Sequence, residues 1–400
     1  MLKKKILNES INKFITWHNS YGDLSYDRMD FWSSKPGILT KRLFYKNKYL
    51  GLPFAGLALL QETFFPSLLK LYADPRRETI GDAHYASAYL NLYESKGDQK
   101  YLKRAEEFLD ALKSYACKGY SGYCWGYTFS WETHFGLWPS GTPLMTITPY
   151  AFWAFKKHFE ITGNKESFDI FTSVAEFAAY DLNKSKMNED ITATSYSPID
   201  NSQIINANTY RAAVLLETYQ HVKKQNYLDE AQESLKFVLA NQQEDGSWFY
   251  EAKESSETFI DNFHTCFVLR NLAMCYKVLK DEKTLDAIKK GYEFYRKNLI
   301  RENNTPIHFA KVKYVKLRKY EMYDYAEGIK LGIYLKDMIE GALDFSGVMA
   351  EDLISKFQLS KGYFITRVTS FGTKHKVPYH RWPQAQLFCS LAMLENELEK

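Results

Sequence analysis

From about residue 80 onward, the links between helical segments alternate between very short polar connectors and long aromatic-rich loops. The short links are Lys96-Gly97-Asp98-Gln99-Lys100, Thr162-Gly163-Asn164-Lys165-Glu166, Lys223-Lys224-Gln225-Asn226 and Lys280-Asp281-Glu282-Lys283. An apolar residue opens the helix after each one. The spacings Leu102 to Phe168 to Leu228 to Leu285 are 66, 60 and 57 residues. A period near sixty is too long for a helix pair with tight turns, so the surplus lies in the returning loops. Stacked hairpins of this kind place every short link on one face and every long loop on the other. A functional site is then expected on the long-loop face.

The first helix of each pair is apolar nearly all round, as in Ala212-Ala213-Val214-Leu215-Leu216, and the second carries outward charges, as in Asp229-Glu230 and Glu233. Buried then amphipathic, repeated, predicts an inner and an outer ring. Pairs are expected near 81–95 and 99–115, 147–161 and 165–182, 205–222 and 226–241, 261–279 and 283–299, and 322–340 and 343–357. An unpartnered inner helix follows near 383–398. Upstream, residues 2–19 predict a helix, 20–48 an irregular polar-aromatic stretch, and 50–73 an apolar helix bent near Pro53 and Pro66. The expectation is an all-α, (α/α)6 toroid of six hairpins, or seven. It forms a single domain over 1–400, with helices of 1–75 closing the ring of repeats in 76–400. Small β-hairpins are expected as decorations, one from Gly362–Val368 with Lys374–Tyr379 and another arm in 307–318.

A net charge of +4 with dispersed lysines gives no footprint for nucleic acid. Five cysteines without a CxxC pair favour free thiols in a reducing compartment. The start, Met1-Leu2-Lys3-Lys4-Lys5, leads into no signal-like apolar core, and no stretch is long enough to span a bilayer. A cytoplasmic location is the expectation. Aromatic residues make up 16% of the chain, and many lie in the loops, where sugar-binding clefts place them.

The long loops supply the candidate chemistry. The loop after 117 holds Trp125, Tyr127, Trp131, Glu132 and His134; the next holds Asp200, Asn206 and Asn208. Asp261-Asn262-Phe263-His264 opens an inner helix, with Asp261 as cap and His264 as a base favoured in its neutral form by the dipole. Asp82/His84 and Asp324/Glu327 repeat that layout. Glu132, Asp200, Asp261 and Asp324 supply carboxylates for a hydrolytic pair. Tyr320 is a further loop aromatic, and His380-Arg381-Trp382-Pro383-Gln384 brings Arg381 as a fork for a carboxylate or phosphate, with Trp382 and Gln384 beside it. No HExxH, CxxC or glycine-rich phosphate loop occurs, so no metal or cofactor is expected.

Gln242-Gln243-Glu244-Asp245-Gly246-Ser247-Trp248 resembles the Q-x-x-D/E-G-S-W turn of terpene cyclases and protein prenyltransferases, which are α/α toroids. The D-x-D-D and D-D-x-x-D motifs of cyclases are absent. Gly126–Trp131, Ser140–Pro143, Phe259–Thr265 and Tyr379–Gln386 resemble toroid proteins that accompany polysaccharide biosynthesis, over about residues 80–398. Unsaturated-uronyl hydrolases, heparinase-type lyases and sugar epimerases are distantly similar toroids, although none of their full catalytic motifs is present.

The resemblance implies a glycan-processing enzyme with an oligosaccharide or sugar-lipid substrate. Hydrolysis by two of Glu132, Asp200, Asp261 and Asp324 is the leading expectation. Uronate lyase or C5-epimerase chemistry is the alternative, with Asn208, Asn262 or Arg381 on the carboxylate and His264, Tyr127 or Tyr320 as base. A non-catalytic glycan-binding protein and an isoprenoid cyclase or transferase are the remaining readings.

Overall fold

The computed structural model describes residues 4–133, 136–252, 258–313 and 318–400. His134 lies outside the described residues. Six inner helices form a closed ring: α5 (Thr79–Lys96), α7 (Thr148–Thr162), α9 (Ile205–Val222), α11 (Asn262–Leu279), α13 (Met322–Leu335) and α15 (Ala385–Glu399). Each packs on the next, and α15 packs against α5 to close the circle. Outside it stand α6 (Gln99–Ser114), α8 (Lys165–Tyr180), α10 (Gln225–Ala240), α12 (Glu282–Asn298) and α14 (Ala342–Phe357). The sixth outer place belongs to α1 (Lys4–Tyr21), which packs on α15 and α14 through buried Leu7, Ile11 and Phe14. The chain is therefore an (α/α)6 toroid with six hairpins rather than seven.

The short links have a common local cause. The four inner helices that precede these links end on a left-handed residue, Gly97, Gly163, Lys223 or Lys280. Asp98, Asn164 and Asp281 then cap the following outer helices by accepting from backbone N–H groups. The turn at Gln242–Trp248, after the outer helix α10, differs in that its left-handed residue lies inside the turn. Gly246 has φ +89° and lies against the Lys290 carbonyl, where a Cβ would meet oxygen at 2.4 Å. Trp248 donates its indole N–H to Val238 O at 3.0 Å, and Gln242 donates to Gly246 O and Ala287 O.

The long-loop face carries the β decorations: β1 (Trp131–Thr133) with β2 (Gly136–Trp138), and β3 (Lys184–Lys186) with β4 (Thr192–Thr194). β8 (Arg367–Thr369) pairs with β9 (Lys374–His375) across a turn at Gly372, a shorter pairing than the sequence suggests. The arm expected in 307–318 is described only at its two ends, since 314–317 lie outside the described residues. Its β6 (Phe309–Lys311) pairs with β5 (Ile260–Asp261), while β7 (Arg318–Glu321) joins β8.

The segment between α1 and α5 is not part of the ring. Its helices α2 (Asp30–Ser33), α3 (Lys35–Lys46) and α4 (Lys48–Phe64), with a 3-10 turn at Pro66–Leu71, form a roof over the long-loop face. The stretch 20–48 is thus largely helical, and the apolar helix ends before Pro66 rather than bending there. Gly51 lets α4 cross closely over the Phe44 backbone of α3.

Candidate functional site

Ion pairs hold the roof down. Arg28 reaches Glu62 at 3.1 Å and Glu321 at 3.3 Å, and Arg367 reaches the same two carboxylates at 3.1 and 3.3 Å. Glu62 belongs to α4, Glu321 to β7 and Arg367 to β8, so this four-member network joins roof to ring. Next to it, Arg42 of α3 pairs with Glu132 of β1 at 2.9 Å, and Lys41 donates to the Glu132 carbonyl at 3.2 Å.

Beneath the roof lies a cleft of about 380 Å³. Its aromatic walls are Trp32, Tyr127, Trp131, Phe263 and Trp382, with Trp382 set against Tyr323 at 4.3 Å. Its cations are Arg28, Lys41, Arg318 and Arg381, and Glu62 is its one lining carboxylate among the described residues. Arg381 is neutralised by a two-pronged pair with Asp27, Nε to Oδ2 at 2.6 Å and an Nη to Oδ1 at 2.5 Å. Burial pushes the Asp27 carboxyl upward, but the Arg381 charge and hydrogen bonds more than offset this and hold it below its usual value. Lys41 sits between indoles, 5.0 Å from the Trp131 ring and 5.7 Å from that of Trp32. Burial lowers its ammonium to about 8, with Glu132 pulling the other way.

A cluster of acids and imidazoles lies behind the wall formed by Phe263 and Arg318. His264 Nδ1 is 2.8 Å from Asp261, which also caps α11 by accepting from the His264 backbone. His308 Nδ1 is 2.9 Å from Asp324, and its Nε2 accepts from Arg318 at 2.9 Å. Burial, then the neighbouring Asp261 charge, raises the Asp324 carboxyl well above its usual value. Burial and Arg318 lower His308 to about 4. His264 faces a small side pocket shared with Asn206, Trp248 and Tyr250.

The residues singled out in the sequence divide into two groups. Tyr127, Trp131, Arg381 and Trp382 line the cleft. Asp261, His264 and Asp324 form the cluster beside it, and Glu132 is buried under the roof. Asn206 stands in the side pocket with its Oδ1 unpartnered among the described residues. The second group holds the backbone. Trp125 is fully buried and donates to Leu112 O. Asn208 bonds Thr194 and Ile204 O, Asn262 bonds Leu299 O and Ile307 O, and Gln384 bonds both the N–H and the carbonyl of Phe364. Asp200 clasps a loop by accepting from the N–H and hydroxyl of Ser197 and of Ser202. Tyr320 packs on Phe357 under the Arg301 guanidinium, not on the cleft. The cleft residues that sequence reasoning missed are Arg28, Trp32, Lys41, Glu62 and Arg318. Their only signal was a mix of basic and aromatic residues in segments without a helical repeat partner.

Among the described residues, no group of three or more His, Cys, Asp or Glu is placed to hold a metal ion. At the short-link end of the axis, all six inner helices line a second cavity of about 410 Å³. Arg270 lies there, buried, with Glu327 bridging it to Lys330.

No protein-family model matches the chain, and no curated protein does. Solved structures match its fold. An unsaturated glucuronyl hydrolase specific for heparin is 14% identical at a TM-score of 0.58, over 80% of this chain and 85% of its own. A polysaccharide lyase is 12% identical at 0.56, over 79% and 89%. Cellobiose 2-epimerase from Bacillus thermoamylovorans is 12% identical at 0.61, over 80% and 88%. The chain shares the architecture of α/α-toroid glycoside hydrolases, lyases and epimerases.

Proposed function

We propose that the chain is a carbohydrate-active enzyme that processes an acidic sugar in the roofed cleft, by removing the proton next to a uronate carboxylate. The observation that carries this is the charge of the lining. Glu62 is already shared between Arg28 and Arg367, and Arg381 is spent on Asp27; among the described residues Lys41 donates only to a carbonyl, and Arg318 has only a long contact with Glu321. Arg318 is 3.9 Å from Glu321 and remains one-third exposed, suited to hold the carboxylate. Lys41, at about 8, is suited to take the proton near neutral pH. The indoles of Trp32, Trp131 and Trp382 supply faces for a pyranose ring. Solved structures of the same fold named as a glucuronyl hydrolase, a polysaccharide lyase and a cellobiose epimerase support a carbohydrate substrate, and the first of them an acidic one.

Hydrolysis is the second reading, and one observation favours it. Burial beside Asp261 raises the Asp324 carboxyl, the direction that the general acid of a hydrolytic pair requires. Both are buried behind the cleft wall, which ranks this reading second. Incubation with uronate-containing oligosaccharides in heavy water separates the reactions. Elimination gives a double bond conjugated to the carboxylate, read by ultraviolet absorbance, and epimerisation gives deuterium at C5 without cleavage. New reducing ends with neither signal support hydrolysis. Turnover of neutral oligosaccharides alone overturns the acidic-sugar reading.

A further inference from the structure

The roof is turned inside out. Among the described residues, fourteen of the twenty-four large apolar side chains that are exposed fall between Leu39 and Tyr72, a window of 34 residues. An ordinary surface helix buries its large apolar face. In α4, Gly51, Ala55, Ala58 and Glu62 face inward at spacings of four, three and four, so the protein receives a stripe of small residues. The large residues point out. Tyr49 is 79% exposed, Leu57 70%, and Leu71 of the following turn 82%. Such a contiguous patch marks a docking surface rather than scattered surface apolarity.

The charges indicate what docks there. Between Lys35 and Tyr72 the chain carries six basic residues and a single acid. That acid, Glu62, is turned inward onto Arg28 and Arg367, while Lys35, Lys46, Lys48 and Lys70 are exposed. We propose that this roof is a monotopic docking surface for an anionic lipid bilayer, with α4 and the turn after it lying in the interface. An apolar face combined with a basic fringe supplies the two attractions that interfacial binding needs. No described helix is long and apolar enough to cross a membrane, so the surface lies on the bilayer and does not span it. A second copy of the chain is the poorer occupant, since a two-fold contact would set the same lysines against each other. The cleft opens beside this surface, because Leu59 of α4 and Lys41 of α3 line it. A glycan carried on a bilayer-embedded lipid would therefore reach the cleft directly, a consequence that rests on the proposed function.

Sedimentation of the full chain with vesicles tests the docking without any substrate, so its failure and that of the glycan reading are separable. The chain is expected to partition onto phosphatidylcholine vesicles containing phosphatidylglycerol more than onto vesicles of phosphatidylcholine alone, and onto the anionic ones less as salt rises. Leu52→Ser/Leu57→Ser/Leu60→Ser is expected to lower partition about tenfold or more. Lys46→Glu/Lys48→Glu, at the exposed start of the helix, is expected to lower it on the anionic vesicles only, with an unchanged circular dichroism spectrum. Absence of partition onto either vesicle overturns the proposal, as does partition that neither variant alters. A dimer in sedimentation velocity that the leucine variant splits, without vesicle binding, assigns the surface to a second copy instead.

Discussion

The cleft depends on which cations are spent and which are free. Arg381 and Asp27 are both almost fully buried, and each neutralises the other. Removing one partner leaves a buried charge, so Asp27→Ala is expected to cost about 3–5 kcal/mol in urea denaturation. The folded carboxyl is held below its unfolded value, near 4. The pair's stabilisation is therefore complete above that unfolded value and is lost as pH falls through the lower folded one. Asp27→Asn should lose that part of the acid sensitivity. Lys41 acts in the opposite direction, since a base works deprotonated. kcat/KM on an acidic oligosaccharide should rise with pH through about 8. Lys41→Met should remove that limb and lower the rate about a hundredfold or more. Sequence pointed to Tyr127, Trp131, Arg381 and Trp382, because aromatic and guanidinium groups in a loop have few other tasks. It did not separate them from Asp200, Asn208, Asn262 and Gln384. A polar side chain that satisfies a buried backbone looks, in a sequence, like one that faces a substrate.

At the scale of elements, legibility follows the range of the interactions. The short links and the Gln242–Trp248 turn are written in neighbouring residues, as caps and left-handed glycines, and could be read directly. The roof is held by partners far apart in the chain: Arg28 and Glu321 are 293 residues apart, and Arg367 and Glu62 are 305. Nothing local announces such pairs, and the outward apolar face of α4 imitates a core helix. The shared carboxylates join the roof to the ring. Glu62→Gln removes the charge that both arginines use, and hydrogen exchange should then show the amides of α3 and α4 opening earlier together. The amides of the inner ring should keep their protection. Equal loss of protection in roof and ring would mean that the two form one cooperative unit.

The whole molecule is a closed ring, and closure depends on its two ends in sequence. Helix α15 fills the gap between α13 and α5, and α1 covers α15 from outside. Phe14 of α1 is the central contact, fully buried and stacked on Phe388 at 4.7 Å, with Trp17 edge-on at 5.1 Å. Gln358 also donates to Ser10 O, tying the loop before the last strands to the first helix. An open stack of hairpins would respond to damage at α1 by fraying, because each repeat contacts only its neighbours. A ring has no end to fray, since opening α1 exposes α15, and α15 is a neighbour of both α5 and α13. Phe14→Ala is therefore expected to cost about 3–5 kcal/mol and to shift one transition as a whole. Urea unfolding followed by far-ultraviolet circular dichroism and by tryptophan fluorescence should give coincident curves, moved together to lower urea. An early partial loss of helix with the main midpoint unmoved would show that the hairpins hold without closure.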